Sequence, residues 1–389
     1  MDGRAIASET LRPAFAFING RFESGLEFEF AEGRLVDIRA NSHPAGAFLL
    51  SPAFVNAHSH TEYRAMQGQI SEPDYWGWIR KLTELKKRED LSHVEQMART
   101  AADENRRAGV ALIAEHVDRV EAASGLLESG LGGVGFAELI TVAEADDVEW
   151  KLEKVRAKAL LIEEQWGQPV SVSPHAAYTV HEHVLSSLAQ EPGFKSIHVA
   201  ETPAERVWIA NNVGQIAQFR QTFGLEISGS YRSVVEYLLS MTYGDTPIQF
   251  VHLCDADELD IEAISEKNIS VAHCPRSNKR LGCPPAPIRE MLDAGIMVGI
   301  GLDSPASSGP IDMLAEINAA ISTAVTREKP ISFEEVWNCA TTMGAASMGI
   351  SGWQIDPSSE TNPPCIKVSL RDPSQPASVL APGASVEWI

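Results

Sequence analysis

The chain has 389 residues, too many for one ordinary core and too few for three, so one large domain with an accessory element is expected. Its 44% hydrophobic and 22% charged residues suit a globular protein with a sizeable core. Fifty-three acidic residues against 32 basic ones give a net charge of −21, which repels phosphate backbones and anionic lipid, so no nucleic acid and no membrane is expected as a partner.

The opening stretch, MDGRAIASETLRP, lacks the apolar core of a signal peptide. The longest apolar run, Ala45 to Ala57, is broken by Ser51, Pro52 and Asn56 and cannot span a bilayer. A cytoplasmic protein is expected. Residues Phe15 to Arg39 alternate apolar and polar, with turn signals at Asn19-Gly20 and Glu32-Gly33, which predicts short antiparallel strands. The tail has the same texture: Cys365 to Leu370 alternates, and Ser385 to Ile389 suits one more strand. Both chain ends, 1–51 and 346–389, are therefore expected to form one small satellite sheet of β-sandwich type around a main domain of 52–345.

Within that main domain, short apolar runs are separated by stretches of helical period. The runs are Ala53 to Ala57, Ala111 to Ala114, Gly133 to Ala137, Val170 to Ser173, Ser196 to Val199, Gln249 to Val251, Ile269 to Ala272 and Met297 to Ile300. Segments such as Val94 to Ala108, Asp147 to Glu163 and Ser233 to Leu239 lie between them. Eight strands alternating with helices predict an α/β fold, a (β/α)8 TIM barrel, and the stretch from His58 to Asp303 is close to the roughly 250 residues such a barrel takes. A doubly wound open sheet is disfavoured because no G-x-G-x-x-G turn follows the first strand; Gly132-Gly133-Val134-Gly135 opens the third. The five cysteines are odd in number, scattered and never in a C-x-x-C pair, so they read as reduced thiols.

Polar residues fall at the C-terminal ends of these strands. His58 and His60 end the first, one residue apart, which in a strand puts both rings on one face about 6 to 7 Å apart. His116, Glu138, His175, His198, His252, His273 and Asp303 follow the second to the eighth in turn. In a barrel those ends share one mouth, and a polar pocket there is the stronger reading for the set. His43, His93, His181 and His183 fall in loops or helices and read as solvated.

His198 suits a third nitrogen ligand beside His58 and His60, leaving a coordination position for water as catalytic zinc sites do. Glu201, three residues on, can then shuttle protons; its bland alternative is a first-turn acid for a helix starting near Pro203. Asp303 sits at the rim of an apolar strand, where metal coordination would meet its desolvation cost, the alternative being a cap for the next turn. His252 is placed to pair with Asp303. For the first pair, the alternative is two exposed histidines on an edge strand.

Together NAHSH, PHAAYT, HVAET, FVHL, AHCPRSN and GLDSPASS resemble the amidohydrolase superfamily, in particular its mononuclear deaminase branch. The resemblance spans nearly the whole chain. It implies His58, His60, His198 and Asp303 as ligands of one divalent metal ion, Zn2+ first and Fe2+ as the other ion such donors suit. It also implies Glu201, His252 and Asp303 as the proton-transfer residues, with Trp78, Glu138 and His175 contacting substrate. The fourth strand carries no lysine, so the carbamylated lysine bridge of the dinuclear members is not expected. The branch acts on cyclic amidines, as a hydrolase of carbon–nitrogen bonds. H-S-H-T-E, the W-x-x-K-L segment at Trp78 and F-A-E-L resemble aminodeoxyfutalosine deaminases of menaquinone biosynthesis.

Adenosine, S-adenosylhomocysteine or methylthioadenosine is the runner-up substrate, and loss of chloride or an amide nitrogen from a heterocycle is a third. The zinc cytidine deaminase route is excluded, because His60-Thr61-Glu62 is not accompanied by P-C-x-x-C. From another class, a non-catalytic metal-binding scaffold barrel would need neither Glu201 nor His252. The chain departs from the family at G-L-D, where G-T-D is common, and in the helix after Trp78, which lacks a clear match to the glutamate that holds ribose hydroxyls in S-adenosylhomocysteine deaminases. It also lacks the G-K-x-A-D-L turn, so a reduced satellite sheet is expected. A homodimer is compatible with the sequence.

Overall fold

The computed structural model describes residues 8–43, 45–72, 74–144, 147–356, 358–359 and 362–389; the opening residues 1–7 lie outside the described residues. Eight parallel strands occupy the predicted places: β1 (Phe54–Ser59), β2 (Val110–Val117), β3 (Gly132–Leu139), β4 (Val170–Pro174), β5 (Lys195–Val199), β6 (Ile248–His252), β7 (Ile269–His273) and β8 (Val298–Ile300). They pair in chain order within two runs, β1 to β4 and β5 to β8. The runs are joined at two single bridges, Ser59 with Asp303 and Ala176 with His198. Backbone bonds Asp303 N–H to His58 O (2.9 Å) and His198 N–H to His175 O (3.0 Å) lie at those seams. The barrel is closed.

Burial on both faces explains why the strands read as apolar runs rather than alternating ones. Val55, Ala57, Ala114, Phe136, Val251 and Ala272 share one buried cluster with Ala345 and Met348 at the helix Thr342–Ser347. Phe54, Ile113, Ile197, Phe250 and Ile300 belong instead to the larger core they share with the helices. The helix Leu91–Arg107 buries Val94, Ala98, Ala101, Ala102 and Asn105, the spacing of one helical stripe. The glycines opening β3 serve close approach: Gly133 has φ +139°, and a Cβ there would collide with the Ile113 carbonyl oxygen. Gly133→Ala is expected to cost about 2–3 kcal/mol or more through forced backbone shifts, checked by the melting temperature in circular dichroism.

The satellite differs from the expectation of one sheet. A five-stranded sheet, in the order Val386–Trp388, Cys365–Ser369, Gly46–Pro52, Pro13–Ile18 and Arg21–Glu23, draws on both chain ends. A second sheet, of Ser8–Leu11, Leu26–Ala31 and Arg34–Ala40, comes from the N-terminal part alone. Both predicted hairpin turns form, with positive φ at Asn19, Gly20, Glu32 and Gly33 as tight two-residue turns require. Each sheet has one apolar face, and two such faces are covered by stacking: Leu11, Phe28, Phe30 and Leu35 share a core with Ala16, Ile18, Leu50 and Cys365. Both tail strands are present, so the sheet is not reduced in the way the missing turn suggested. No helix among the described residues is long and apolar enough to cross a membrane.

Candidate active site

The strand ends bring four imidazoles to one buried spot. His58, His60, His116 and His198 each offer a ring nitrogen within 4.8 Å of the others. Asp303, from the end of β8, reaches in with Oδ1 at 3.7 Å from His58 Nε2 and 3.9 Å from His60 Nε2. Ligands 2.0–2.1 Å from a tetrahedral ion stand about 3.4 Å apart, so Asp303 Oδ1 already lies near ligand spacing from His58 and His60. Gly301 permits the approach of β8 to β1, since a Cβ there would stand 2.8 Å from His58 Cβ.

The donor chemistry fits a divalent metal. Both His58 nitrogens and His60 Nδ1 are buried without a hydrogen-bond partner among the described residues, an unfavourable state for polar atoms that ligation would relieve. Burial, then the neighbouring His116, holds His58 well below the usual imidazole range, and burial lowers His60 to about 4. Burial and His175 do the same to His198. Neutral rings with free lone pairs are the ligating form. His198 Nδ1–H donates to the His175 carbonyl (2.8 Å), which leaves Nε2 as its free acceptor.

Asp303 is not a turn cap. Ser304 caps the helix Pro305–Ser308, while Asp303 Oδ2 accepts from Ser277 Oγ (2.5 Å) and Ser307 Oγ (3.0 Å). Two serines thus supply what Leu302, in place of a threonine, cannot. Glu201 is likewise free of capping duty, which falls to Thr202 and Glu205. Its carboxyl stands 3.6 Å from His252 Nε2, and burial, with Asp303 nearby, pushes it up to about 8. His252 Nδ1–H donates to Asn278 Oδ1 (2.8 Å), turning the Nε2 lone pair towards Glu201. A φ of +78° at His252 marks the strand's abrupt end, strain of about 1–3 kcal/mol of the kind that clusters at functional sites.

Trp78, Glu138 and His175 line the same cavity as His60, His198, Glu201, His252 and Asp303, a space of about 930 Å³. Helix Tyr75–Lys86 supplies one wall, and Gln215, Gln218 and Phe219 on helix Gly214–Gln221 another. Glu138 Oε1 faces His116 Nδ1 (3.2 Å), whose Nε2 meets Ser196 Oγ (3.0 Å), so both His116 nitrogens are engaged.

Two histidines depart from expectation. His273 is buried at the strand end but lines a separate cavity of about 700 Å³. His181 is buried rather than solvated and meets Thr141 Oγ1 at 3.0 Å, at the start of helix Glu182–Gln190. Sequence reasoning assigned no role to Ser277 and Asn278, although both lie within AHCPRSN, nor to Tyr63 and Tyr75, whose aromatic character alone carries no such signal.

A family model described as "Amidohydrolase family" matches residues 49–352. Among curated relatives, the 5-methylthioadenosine/S-adenosylhomocysteine deaminase 2 of Archaeoglobus fulgidus is 27% identical over 326 residues, 80% of this chain and 73% of its own. The 5'-deoxyadenosine deaminase of Methanopyrus kandleri is 29% identical over 294 residues, 74% of this chain and 64% of its own. Among solved structures, Helicobacter pylori aminofutalosine deaminase in complex with methylthio-coformycin superposes with a TM-score of 0.77 at 20% identity, covering 96% of this chain and 95% of that one. A zinc-bound adenosine deaminase from Xanthomonas campestris gives 0.76 at 19%, covering 93% and 84%.

Proposed function

The chain belongs to the amidohydrolase family, whose chemistry is hydrolysis of carbon–nitrogen bonds, and from that premise we propose a metal-dependent aminohydrolase of a purine nucleoside-like amine. What supports it is the buried cluster of His58, His60, His116 and His198, with Asp303 Oδ1 3.7 Å from His58 and 3.9 Å from His60, beside the buried Glu201, whose carboxyl burial pushes up to about 8. His58, His60, His198 and Asp303 would hold one divalent ion, zinc first and Fe2+ second. Bound there, it would supply a nucleophile from water at neutral pH.

The chain's own residues do the rest. Glu201, carrying its proton at neutral pH, gives it to the ring nitrogen next to the carbon under attack. Asp303 Oδ1 and His252 Nε2 take one proton of the attacking water and return it to the departing amine, which leaves as ammonia, while the second, on the new hydroxyl, goes back to Glu201 as the carbonyl forms. Trp78, Tyr75 and Tyr178 line the cavity and offer aromatic faces on which a base can lie. A non-catalytic scaffold would have no use for Glu201 and His252.

Within that class the proposed substrate is 6-aminodeoxyfutalosine, on the H-S-H-T-E, W-x-x-K-L and F-A-E-L segments. Methylthioadenosine, S-adenosylhomocysteine and 5'-deoxyadenosine form the second reading, since relatives at 27–29% identity carry those names. Glu84 does reach the cavity wall, but it pairs with Lys81 (3.1 Å) and Arg88 (2.8 Å), leaving no uncommitted acid on that helix for ribose hydroxyls. The test is ammonia release from the zinc-loaded protein with aminodeoxyfutalosine, adenosine, S-adenosylhomocysteine and guanine. Fastest turnover on the first is expected; no ammonia from any of them despite bound metal would favour the scaffold. Chelation is expected to abolish turnover and added zinc to restore it, and activity indifferent to a chelator would refute metal dependence.

A further inference from the structure

The imidazoles of the site are not held alike. A ring that binds metal through one nitrogen is ordinarily aimed by a hydrogen bond on the other. His198 has that bond, to the His175 carbonyl. His60 does not: its Nδ1 is buried and has no partner among the described residues. What lies against it is Tyr63, stacked with ring centroids 5.0 Å apart and planes at 13°.

Tyr63 is itself held by a lysine on the cavity wall. Lys86 Nζ donates to its hydroxyl oxygen (2.7 Å) and also pairs with Asp118 Oδ2 (2.7 Å), one residue beyond β2. Lys158 steadies Asp118 in turn, through the Asp118 carbonyl (3.0 Å). Lys86 is the last residue of helix Tyr75–Lys86, and Arg119 donates to its backbone carbonyl, so side chain and helix end are clamped together. That helix carries Tyr75 and Trp78 into the cavity.

We propose that Lys86 is a positioning residue that, gripped between Tyr63 and Asp118, aims the His60 ring and fixes the helix bearing Trp78 over the cavity. The inference rests on the reading of His60 as a metal ligand. Lys86 itself lines the cavity, but its ammonium is spent on Tyr63 and Asp118, so it acts through the ring it holds and the helix it ends. A flexible lysine stem is suited to this only because both ends of its grip are on rigid elements, the 3-10 turn Thr61–Met66 and the end of β2.

Lys86→Met keeps the stem and removes the charge. Zinc release from the loaded variant to a chromophoric chelator is expected to be about tenfold or more faster than from the parent, the size of effect known for residues that orient metal ligands. KM is expected to rise more than kcat falls, because the helix bearing Trp78 loosens. Tyr63→Phe, which keeps the stack and deletes only the hydroxyl, should move zinc release the same way by less, and Lys86→Arg should restore much of it. A loss of fold stability alone would leave KM and the release rate of the folded protein unchanged, and that result overturns the proposal. If Lys86→Met fails to fold, unchanged zinc release in Tyr63→Phe overturns it equally. His60→Ala separates the two levels: unchanged zinc release there defeats the ligand assignment, while faster release there with no effect in Lys86→Met defeats the positioning role alone.

Discussion

Glu201→Gln is expected to keep its zinc and lose turnover by about 10²–10⁴-fold, the range a positioned proton donor contributes. Gln preserves the shape and the hydrogen-bonding ends of the side chain, and Glu201 is not among the four proposed ligands, so metal content should match the parent. The same variant carries a second, opposite expectation for stability. Burial raises the folded-state pKa of Glu201 from 4.5 to about 8, so the unfolded chain ionises this group at a lower pH than the folded one does. Folding stability is therefore lost as pH rises between about 4.5 and 8, and the loss persists above that. Removing the ionisable group should leave the metal-free variant melting higher than the metal-free parent at neutral and alkaline pH, with the difference vanishing near pH 4. Melting curves across that span, beside an ammonia assay, check both halves. Surviving activity would show that Glu201 is not the proton donor.

His58→Ala is expected to abolish stoichiometric zinc and with it ammonia release. His58 is wholly buried, and its ring lies within 5.7 Å, centre to centre, of His60, His116, His198 and His252. Its removal would therefore leave a hole at the centre of the cluster. The loss should exceed the roughly 10–100-fold fall in affinity seen when only an outer partner of a ligand is deleted. Elemental analysis after dialysis decides the point, and unchanged zinc in a folded variant would contradict the ligand assignment.

The barrel was legible because its strands are buried on both faces and stand apart from the amphipathic helices between them. The convergence of residues as distant as His58 and Asp303 followed from that topology, since parallel strands in a closed ring deliver their ends to one mouth. What is held by side-chain geometry was not legible. Ser277, Ser307 and Asn278 position Asp303 and His252, yet hydroxyl and amide residues near a helix start look like ordinary caps. His273 shows the converse: the right residue type at the end of its strand, facing another space. The second satellite sheet escaped for a related reason. Alternation says that a strand has one apolar face, and it is silent on whether that face is covered from the side or from above.

The two single bridges that close the barrel pass through the residues of the candidate site. His58 and His60 belong to the first half-ring, and His198 and Asp303 to the second. A shared ion would thus rivet the two halves where their ladders are thinnest. Emptying the site should then slacken the whole upper rim, with amide exchange at His60, His198 and Asp303, whose N–H groups cross the seams, accelerating together.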